Sequence, residues 1–244
     1  MISRNSEIPM PVYYRLQSAI KEKIESGHWK PGDRIPPERV FADDHQLSVG
    51  TVKKAIANLV NEGYLYRIQG KGTFVAGTSL RRDQLRYYRY SGSFDDEEGD
   101  LKVKLLDVEK VGAIPAVNDM LALRGNQGLF RVRRVLFAND TPRVYTISYL
   151  PQKLFAGLDA LSTQKVEGEP LYLILEERYG VPTIHNQELI GINEADKEVA
   201  QYMGIREGAS LLFIEMLSFT YKQRPYEYRT SYCQTDEKKL FRGY

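Results

Sequence analysis

The sequence predicts an α+β fold with two domains, an N-terminal winged helix-turn-helix and a C-terminal domain built on an antiparallel sheet. Two observations predict the first domain. Apolar residues recur at helical spacing over residues 12–24 and 52–60, and a short glycine-rich hairpin pattern follows at once. The second domain is predicted because, from residue 101 onward, most apolar stretches resemble strands joined by short connections. We therefore expect domains at residues 1–76 and 101–244, with a linker at 77–100 that shows little hydrophobic periodicity.

The first two helices are predicted from residues that suit helix ends. Apolar residues recur every four positions over residues 12–24, with Pro11 at the first turn and Gly27 just past the end. A second, shorter helix is expected to open at Pro37 and to extend to about His45.

The third helix begins after Ser48, whose hydroxyl can accept a hydrogen bond from a free backbone N–H of the first turn. Gly63 ends this helix, where a left-handed residue is needed. Two short strand patterns follow, and the flexible sequence Gln69-Gly70-Lys71-Gly72 separates them. The predicted arrangement is a helix-turn-helix followed by a β-wing.

The second domain is predicted to alternate strands with three helices. Strands are expected over residues 101–110, 129–137, 144–150, 184–193, 210–221 and 226–235. Helices are expected over residues 115–123, 170–179 and 196–203. Asn139-Asp140 and residues 222–225 would form hairpin turns, which favours antiparallel pairing.

Composition limits the class of protein. Apolar residues make up 42% of the 244-residue chain and charged residues 27%, as in ordinary globular proteins. No apolar run approaches the ~20 residues that a membrane span needs, and the N-terminus lacks the apolar core of a signal peptide. A single cysteine, Cys233, and three scattered histidines predict neither a disulfide nor a metal site. These features indicate a cytoplasmic protein without a cofactor.

Positive charge is concentrated where the third helix and the wing are predicted. The whole chain has a net charge of only +2, yet residues 46–76 contain four basic side chains against Glu62 alone, a local charge of +3. The basic residues are Lys53, Lys54, Arg67 and Lys71. Such clustering is typical of a surface that binds nucleic-acid phosphates, although any solvated helix face can also be charged.

Residues 11–75 resemble the winged-helix DNA-binding domain of the GntR family of bacterial transcriptional regulators. Several short motifs at fixed spacings support the resemblance: Pro11-Val12-Tyr13, Ile24-x-x-Gly27, Pro31-Gly32, Pro37-Glu38-Arg39, Thr51-Val52-Lys53-x-Ala55, Leu59, Glu62-Gly63 and Gly70-Lys71-Gly72-Thr73-Phe74-Val75. The resemblance implies binding to double-stranded operator DNA. It also implies a homodimer, because helix-turn-helix proteins commonly read two half-sites about one helical turn apart.

Eight residues are candidates for DNA contact: Arg39, Ser48, Val49, Thr51, Lys53, Lys54, Gly70 and Lys71. The role of Arg39 follows from the matching arginine of the family; the alternative is a solvated side chain paired with Glu38 or Asp43. The family usually has arginine where this chain has Val49. An apolar side chain there can meet only a thymine methyl, so we expect a preference for T·A over G·C at that position.

The C-terminal half resembles the UTRA effector-binding domain of the HutC subfamily, whose fold is shared with chorismate lyase. The matches extend over about 140 residues: Arg131-x-Arg133, Tyr149-Leu150-Pro151, Leu171-Tyr172, Tyr179-Gly180, Ala200-x-x-Met203-Gly204, Glu207-Gly208 and Pro225-Tyr226-Glu227-Tyr228. The resemblance implies a sensor of small molecules, often phosphosugars or other acidic metabolites.

An anionic effector is therefore expected to bind near the strand at residues 129–137. Arg131 and Arg133 project to the same face of that strand, where they either point into solvent or line a polar cavity. The candidate effector-binding residues are Arg131, Arg133, Thr146, Ser148, Glu227 and Arg229. Many family members have glutamate where this chain has Thr146.

The leading functional hypothesis is a transcriptional regulator, specifically a repressor, whose DNA binding is controlled by a small-molecule effector. The alternative is a chorismate-lyase-like enzyme domain fused to a DNA-binding head. Against an enzyme, the sequence has no Ser/His/Asp arrangement, no metal-ligand cluster and no nucleotide-phosphate loop. A purely architectural DNA binder would leave the C-terminal residues without a task.

Overall fold

The computed structural model describes residues 11–77, 89–91, 101–138, 140–160, 169–235 and 239–241. The chain divides into two units, residues 1–80 and residues 81–244. Each unit has its own core, and the α+β class predicted from the sequence is confirmed.

The first unit contains three helices and a two-stranded wing. The helices are α1 (Val12–Glu25), α2 (Glu38–Asp44) and α3 (Val49–Asn61), and the strands are β1 (Leu65–Ile68) and β2 (Gly72–Val75). The predicted cap is confirmed, because Ser48 Oγ accepts a hydrogen bond from the backbone N–H of Thr51 at 3.1 Å. The apolar stripes of α1 and α3 are buried as their periodicity predicts.

The loop before α2 adds a third segment to the wing. Arg34 forms an isolated antiparallel bridge with Phe74, and the N–H of Ile35 donates to the carbonyl of Thr73 at 3.0 Å. The loop thus pairs with the second strand of the wing. The sequence did not indicate this pairing, because the Pro-Gly-Asp-Arg loop has no strand periodicity.

In the described residues, the second unit has a six-stranded antiparallel sheet with short helices on both faces, and a separate two-stranded sheet. Its helices are α4 (Pro115–Met120), α5 (Leu171–Tyr179) and α6 (Lys197–Met203). Its strands are β3 (Arg89–Ser91), β4 (Leu101–Val111), β5 (Leu129–Ala138), β6 (Thr141–Pro151), β7 (His185–Glu194), β8 (Ser210–Thr220), β9 (Arg224–Cys233) and β10 (Lys239–Phe241). The large sheet has the order β4-β5-β6-β9-β8-β7, and every neighbouring pair is antiparallel.

The predicted linker contains a strand. Within residues 77–100, β3 pairs with β10 in a separate two-stranded sheet. A three-residue strand is too short to show alternation, so the sequence pattern could not reveal it. In the predicted turn Asn139-Asp140, Asp140 has a left-handed φ of 59°, and Asn139 lies outside the described residues.

The two faces of the large sheet pack against different helices. On one face, which we call the α5 face, Phe130, Val132 and Leu150 share a buried cluster with Leu171 and Leu175 of α5. The opposite face, the α4–α6 face, is covered by two helices. The central strands of the large sheet therefore bury side chains on both faces, in contrast to a sheet with one solvated face.

Candidate functional sites

Val49 and Lys53 are two of the predicted DNA-contact residues that α3 exposes. Val52 and Ile56 are fully buried, whereas Lys53 is exposed and Val49 is 36% exposed. Because residues four apart in a helix are neighbours on its surface, Val49 and Lys53 lie side by side. This side of α3 offers one apolar and one cationic side chain at its N-terminal end.

The other predicted residues of α3 have partners within the unit. Ser48 Oγ and Thr51 Oγ1 are 2.8 Å apart, so the two hydroxyls are joined at the start of the helix. The ammonium of Lys54 lies 4.3 Å from the centre of the Tyr13 ring in α1, a cation–π contact. Lys54 thus lies beside α1 and, like Lys53, is exposed to solvent.

Arg39 is the second residue of α2, and its side chain is exposed. Its neighbour Glu38 makes an ion pair with Arg67 of the wing, with Arg67 Nη2 2.9 Å from Glu38 Oε1. The contact joins the start of α2 to strand β1.

The wing tip depends on two glycines. Gly70 has a φ of +74° and Gly72 a φ of +127°, a region that L-residues rarely adopt. A Cβ on Gly72 would lie 2.8 Å from the Nε of Arg34, so the glycine also leaves room for that guanidinium. The exposed Lys71 lies between them. Arg34 is therefore a basic residue of the wing surface that sequence reasoning missed.

In the second unit, the buried charged side chains share one face of the large sheet. Among the described residues, the buried charged side chains are Arg134, Glu227 and Arg229. All three lie on the α5 face, along with several buried hydroxyl side chains. We call the set Arg134, Thr146, Ser148, Ser218, Glu227 and Arg229 the buried polar cluster.

Strand pairing assembles this cluster. Ser148 of β6 lies opposite Arg229 of β9, Arg134 of β5 lies opposite Thr146, and Ser218 of β8 lies opposite Glu227. These positions alternate with residues of the other face, so their side chains share one side of the sheet.

Glu227 lies at the centre of the hydrogen bonds. Ser148 Oγ donates to its Oε1 at 2.7 Å, and Ser218 Oγ donates to its Oε2 at 3.4 Å. Arg229 Nε lies 3.5 Å from Oε1, and Arg229 Nη2 lies 3.3 Å from the thioether of Met216. A buried carboxylate with donors on both oxygens is held in a fixed position.

Two predicted effector residues lie on the opposite face of the sheet. Arg133 opposes Ile147 rather than Thr146 or Ser148, and Arg131 opposes Tyr149. The guanidinium of Arg133 binds Asp107, with Nε 3.0 Å from Oδ2, and its Nη1 lies 3.0 Å from Glu198 Oε1. Arg131 Nη2 pairs with Glu109 at 2.5 Å.

Two of these groups, Arg133 and Glu198, and the neighbouring Tyr145 have shifted pKa values. The hydrogen bond to Asp107 is the main cause that raises the pKa of Arg133. A hydrogen bond from the hydroxyl of Tyr145, and then the contacts with Arg133, lower the pKa of Glu198. Burial is the main cause that raises the pKa of Tyr145, and its bond to Glu198 adds to it.

The expectation that the six effector candidates form one site is therefore wrong. The structure brings together Thr146, Ser148, Glu227 and Arg229 but places Arg131 and Arg133 behind the sheet, because adjacent strand residues alternate between faces. Arg134, rather than Arg133, lies on the same face of the sheet as Thr146 and Ser148. The sequence did contain a signal for this, because Arg134 continues the alternation of the apolar residues Phe130 and Val132 along the same strand.

Membrane-spanning helices and metal-binding groups are both absent from the described part of the chain. No helix there is long and apolar enough to cross a membrane. Within the same ranges, no group of three His, Cys, Asp or Glu side chains could hold a metal ion.

The chain is similar to known proteins over both units. Residues 12–75 match the family described as bacterial regulatory proteins, gntR family, and residues 97–239 match the UTRA domain family. The chain is 29% identical over 221 residues to the uncharacterized HTH-type transcriptional regulator YurK of Bacillus subtilis (strain 168), covering 91% of this chain and 90% of YurK. It is 26% identical over 232 residues to the HTH-type transcriptional repressor NagR of the same strain, covering 95% and 94%.

A solved structure has the same C-terminal fold. The ligand-binding domain of a Bordetella bronchiseptica protein assigned to the GntR family of transcriptional regulators aligns with a TM-score of 0.61 and 27% identity. The alignment covers 66% of this chain and 99% of that domain. These similar proteins are transcriptional regulators rather than enzymes, which argues against the chorismate-lyase-like alternative.

Proposed function

The chain belongs to the gntR family of bacterial transcriptional regulators with a UTRA effector domain, and we propose that it is a repressor controlled by a small anionic metabolite. In this proposal a homodimer binds operator DNA through its winged-helix units. The effector binds at the buried polar cluster and changes the affinity for DNA.

DNA binding is assigned to the exposed side of α3, to Arg39 and to the wing. Val49 and Lys53 would enter the major groove, where Lys53 can reach base edges or phosphate. Ser48 and Thr51 are joined to each other, so they would act mainly by fixing the start of α3. Lys54, held near Tyr13, would meet the phosphate backbone. The left-handed Gly70 would bring the wing backbone and Lys71 close to DNA.

Salt dependence tests this assignment. Replacing a lysine that contacts phosphate should weaken binding to all sequences and lower the salt slope by about one unit. We expect this for Lys71→Ala, whereas Lys53→Ala and Arg39→Ala should weaken binding to the operator. Lys197→Ala, an exposed lysine at the start of α6, is the matched control and should change neither quantity. Unchanged affinity and slope in all three test variants would refute the proposed surface.

The charge of the buried polar cluster supports an anionic effector. Arg134 and Arg229 are 4% and 5% exposed, and Glu227 is 1% exposed, so the buried charged groups sum to two positive and one negative. Glu188 lies opposite Met216 on the same face but is only partly buried. Guanidinium groups bind carboxylates and phosphates through paired hydrogen bonds, so two arginines on one face favour a ligand of that class.

The geometry also suggests how the effector would be oriented. A guanidinium can give two parallel hydrogen bonds to a carboxylate or phosphate. The carboxylate of Glu227, which already accepts from Ser148, would accept hydrogen bonds from ligand hydroxyl or amino groups, and the Thr146 hydroxyl lies on the same face of the sheet. A phosphorylated or acidic sugar combines both features.

A panel of sugar phosphates and acidic metabolites would identify the effector, because a ligand that binds only the folded protein raises its melting temperature. Arg134→Met keeps much of the apolar stem and leaves one arginine with one glutamate. This variant should lose the effector-induced rise in melting temperature and the effector response, yet retain effector-free DNA binding. Arg131→Met, on the other face of the same strand, should respond as the wild type does. An undiminished response of Arg134→Met would refute the proposed site.

Control of DNA binding then follows from linkage. If the effector binds one conformation of the dimer more tightly, it shifts the population toward that conformation. Coupling of this kind typically amounts to ~1–3 kcal/mol and acts equally in both directions, so operator DNA should change effector affinity by the same factor. Titrating the effector with and without operator DNA measures that factor.

A further inference from the structure

The edge strand β7 exposes an unusual amount of apolar side chain. Leu189, Ile190 and Ile192 are 70%, 57% and 78% exposed, the highest values for large apolar residues in the described ranges. All three lie within four positions of one strand. This strand pairs with β8 on one side and is last in the sheet order. Within the described ranges no strand pairs with its other side, which presents backbone N–H and C=O groups beside these apolar side chains.

The two edges of the sheet differ in the residues that discourage pairing. The opposite edge strand, β4, includes Lys102, Lys104 and Lys110. Lysine on an edge strand prevents uncontrolled pairing, as do proline and short length. The ten residues of β7 include no lysine, arginine or proline. A ten-residue edge strand that exposes Leu189, Ile190 and Ile192 and lacks lysine and proline is suited to pairing with a partner.

We propose that β7 pairs antiparallel with β7 of a second copy of this chain, so that two six-stranded sheets join across a two-fold axis. This inference specifies the interface of the proposed homodimer and depends on the dimer being formed. A second copy is the favoured occupant because the strand is complementary to itself in one register.

Symmetry limits that register. A two-fold axis perpendicular to the sheet places one residue directly opposite its own copy. With Ile190 on the axis, Ile190 meets Ile190, Glu188 meets Ile192, and Asn186 meets Glu194. On this face the isoleucines of the two copies are opposite or diagonal neighbours, and no carboxylate opposes another. With Leu189 on the axis, Ile190 would instead face Glu188.

Gly191 supports the register centred on Ile190. A Cβ at this position would meet nothing within 4 Å, and its φ is not in the left-handed region. The fold of the single chain therefore does not require glycine there. In the proposed pairing Gly191 lies opposite Leu189 of the second copy, and the missing side chain leaves space for that leucine.

Sedimentation of the full chain, without DNA or effector, tests the interface. Ile190→Lys places two ammonium groups opposite each other and should raise the dimer dissociation constant by about a hundredfold or more. The observed mass should fall from twice 28.0 kDa toward 28.0 kDa. Ile192→Lys should be tolerated better, since it would face Glu188. Met120→Lys, at a 43% exposed methionine of α4, is the matched control and should remain dimeric.

Cysteine crosslinking gives a second measurement in a Cys233→Ser background. Ile190→Cys should form a disulfide-linked dimer, because residues opposite on adjacent strands are within reach of a disulfide. Ile192→Cys, four positions out of register with its own copy, should not. If the Ile190→Lys protein is as dimeric as the wild type, the β7 interface is overturned. That result would not affect the proposed DNA-binding and effector-binding sites, which are tested separately. A monomeric wild type overturns this interface and the proposed homodimer together.

Discussion

Replacing Arg133 with alanine should weaken the fold of the second unit without removing the effector response. Arg133 was the leading effector-binding candidate in the sequence, but its guanidinium binds Asp107 and Glu198 on the α4–α6 face. The variant Arg133→Ala would leave these two carboxylates without their shared cation. Tyr145, which also donates to Glu198, would lose part of that network.

The expected loss of stability follows from the exposure of the three side chains. Hydrogen bonds to charged groups contribute ~1.5–3 kcal/mol when well shielded. Here Arg133 is 15% exposed, but Asp107 and Glu198 are 34% and 43% exposed. Solvent screening reduces each contact to about 1 kcal/mol, so the free energy of unfolding should fall by roughly 2 kcal/mol. For a unit of this size, that corresponds to a decrease of about 4–8 °C in melting temperature.

The two units can be followed separately in the intact chain. Trp29 is the only tryptophan of the sequence, and it packs against Phe41 in the first unit. Its fluorescence therefore reports unfolding of the first unit, while the β-sheet signal in circular dichroism reports mainly on the second. Urea unfolding of Arg133→Ala should shift the circular dichroism transition and leave the fluorescence transition in place.

Arg131→Ala is the matched control. Its pair with Glu109 is more exposed, at 29% and 52%, so the loss should not exceed about 1 kcal/mol. Effector response in Arg133→Ala should match that of the wild type at temperatures where both are folded. If the variant kept full stability but lost the response, the assignment of Arg133 to the fold would be refuted.

Three further outcomes are expected. Ser48→Ala removes the cap of α3 and should cost the first unit about 1 kcal/mol, measured by Trp29 fluorescence in urea, whereas an equal loss for the exposed Ser26→Ala would contradict a specific cap. The lowered pKa of Glu198 means that its stabilisation is present above its unfolded value and is lost as pH falls through the folded value. Glu198→Gln should therefore lower the urea midpoint at pH 7 but much less at pH 3. An equal difference between variant and wild type at the two pH values would contradict a stabilising role of the ionised Glu198. Val49→Arg should shift operator preference toward G·C by ~1–3 kcal/mol, and identical selected sequences for both proteins would exclude readout at that position.

Local signals in the sequence predicted the first unit almost completely. Helix periodicity, the Ser48 cap and the glycines of the wing each act over a few residues, so they could be read without knowledge of the fold. The same holds for the strands and helices of the second unit, most of whose bounds lie within a few residues of those predicted. Family resemblance, also contained in the sequence, indicated a regulator with a UTRA domain, which the comparisons confirm.

Tertiary structure decided which arginine of β5 joins the candidate effector site. The segment RVRR places arginine on both faces of its strand, and helices cover both faces, so alternation could not distinguish the site from the structural ion pairs. The placement of β9 between β6 and β8 brings Glu227 next to Ser148, 79 positions away in the chain. The exposed edge at β7 likewise depends on strand order, because only the assembled sheet determines which strand lacks a neighbour. Such contacts between distant segments leave no periodic signal in the sequence, since they arise from packing of complete elements rather than from neighbouring residues.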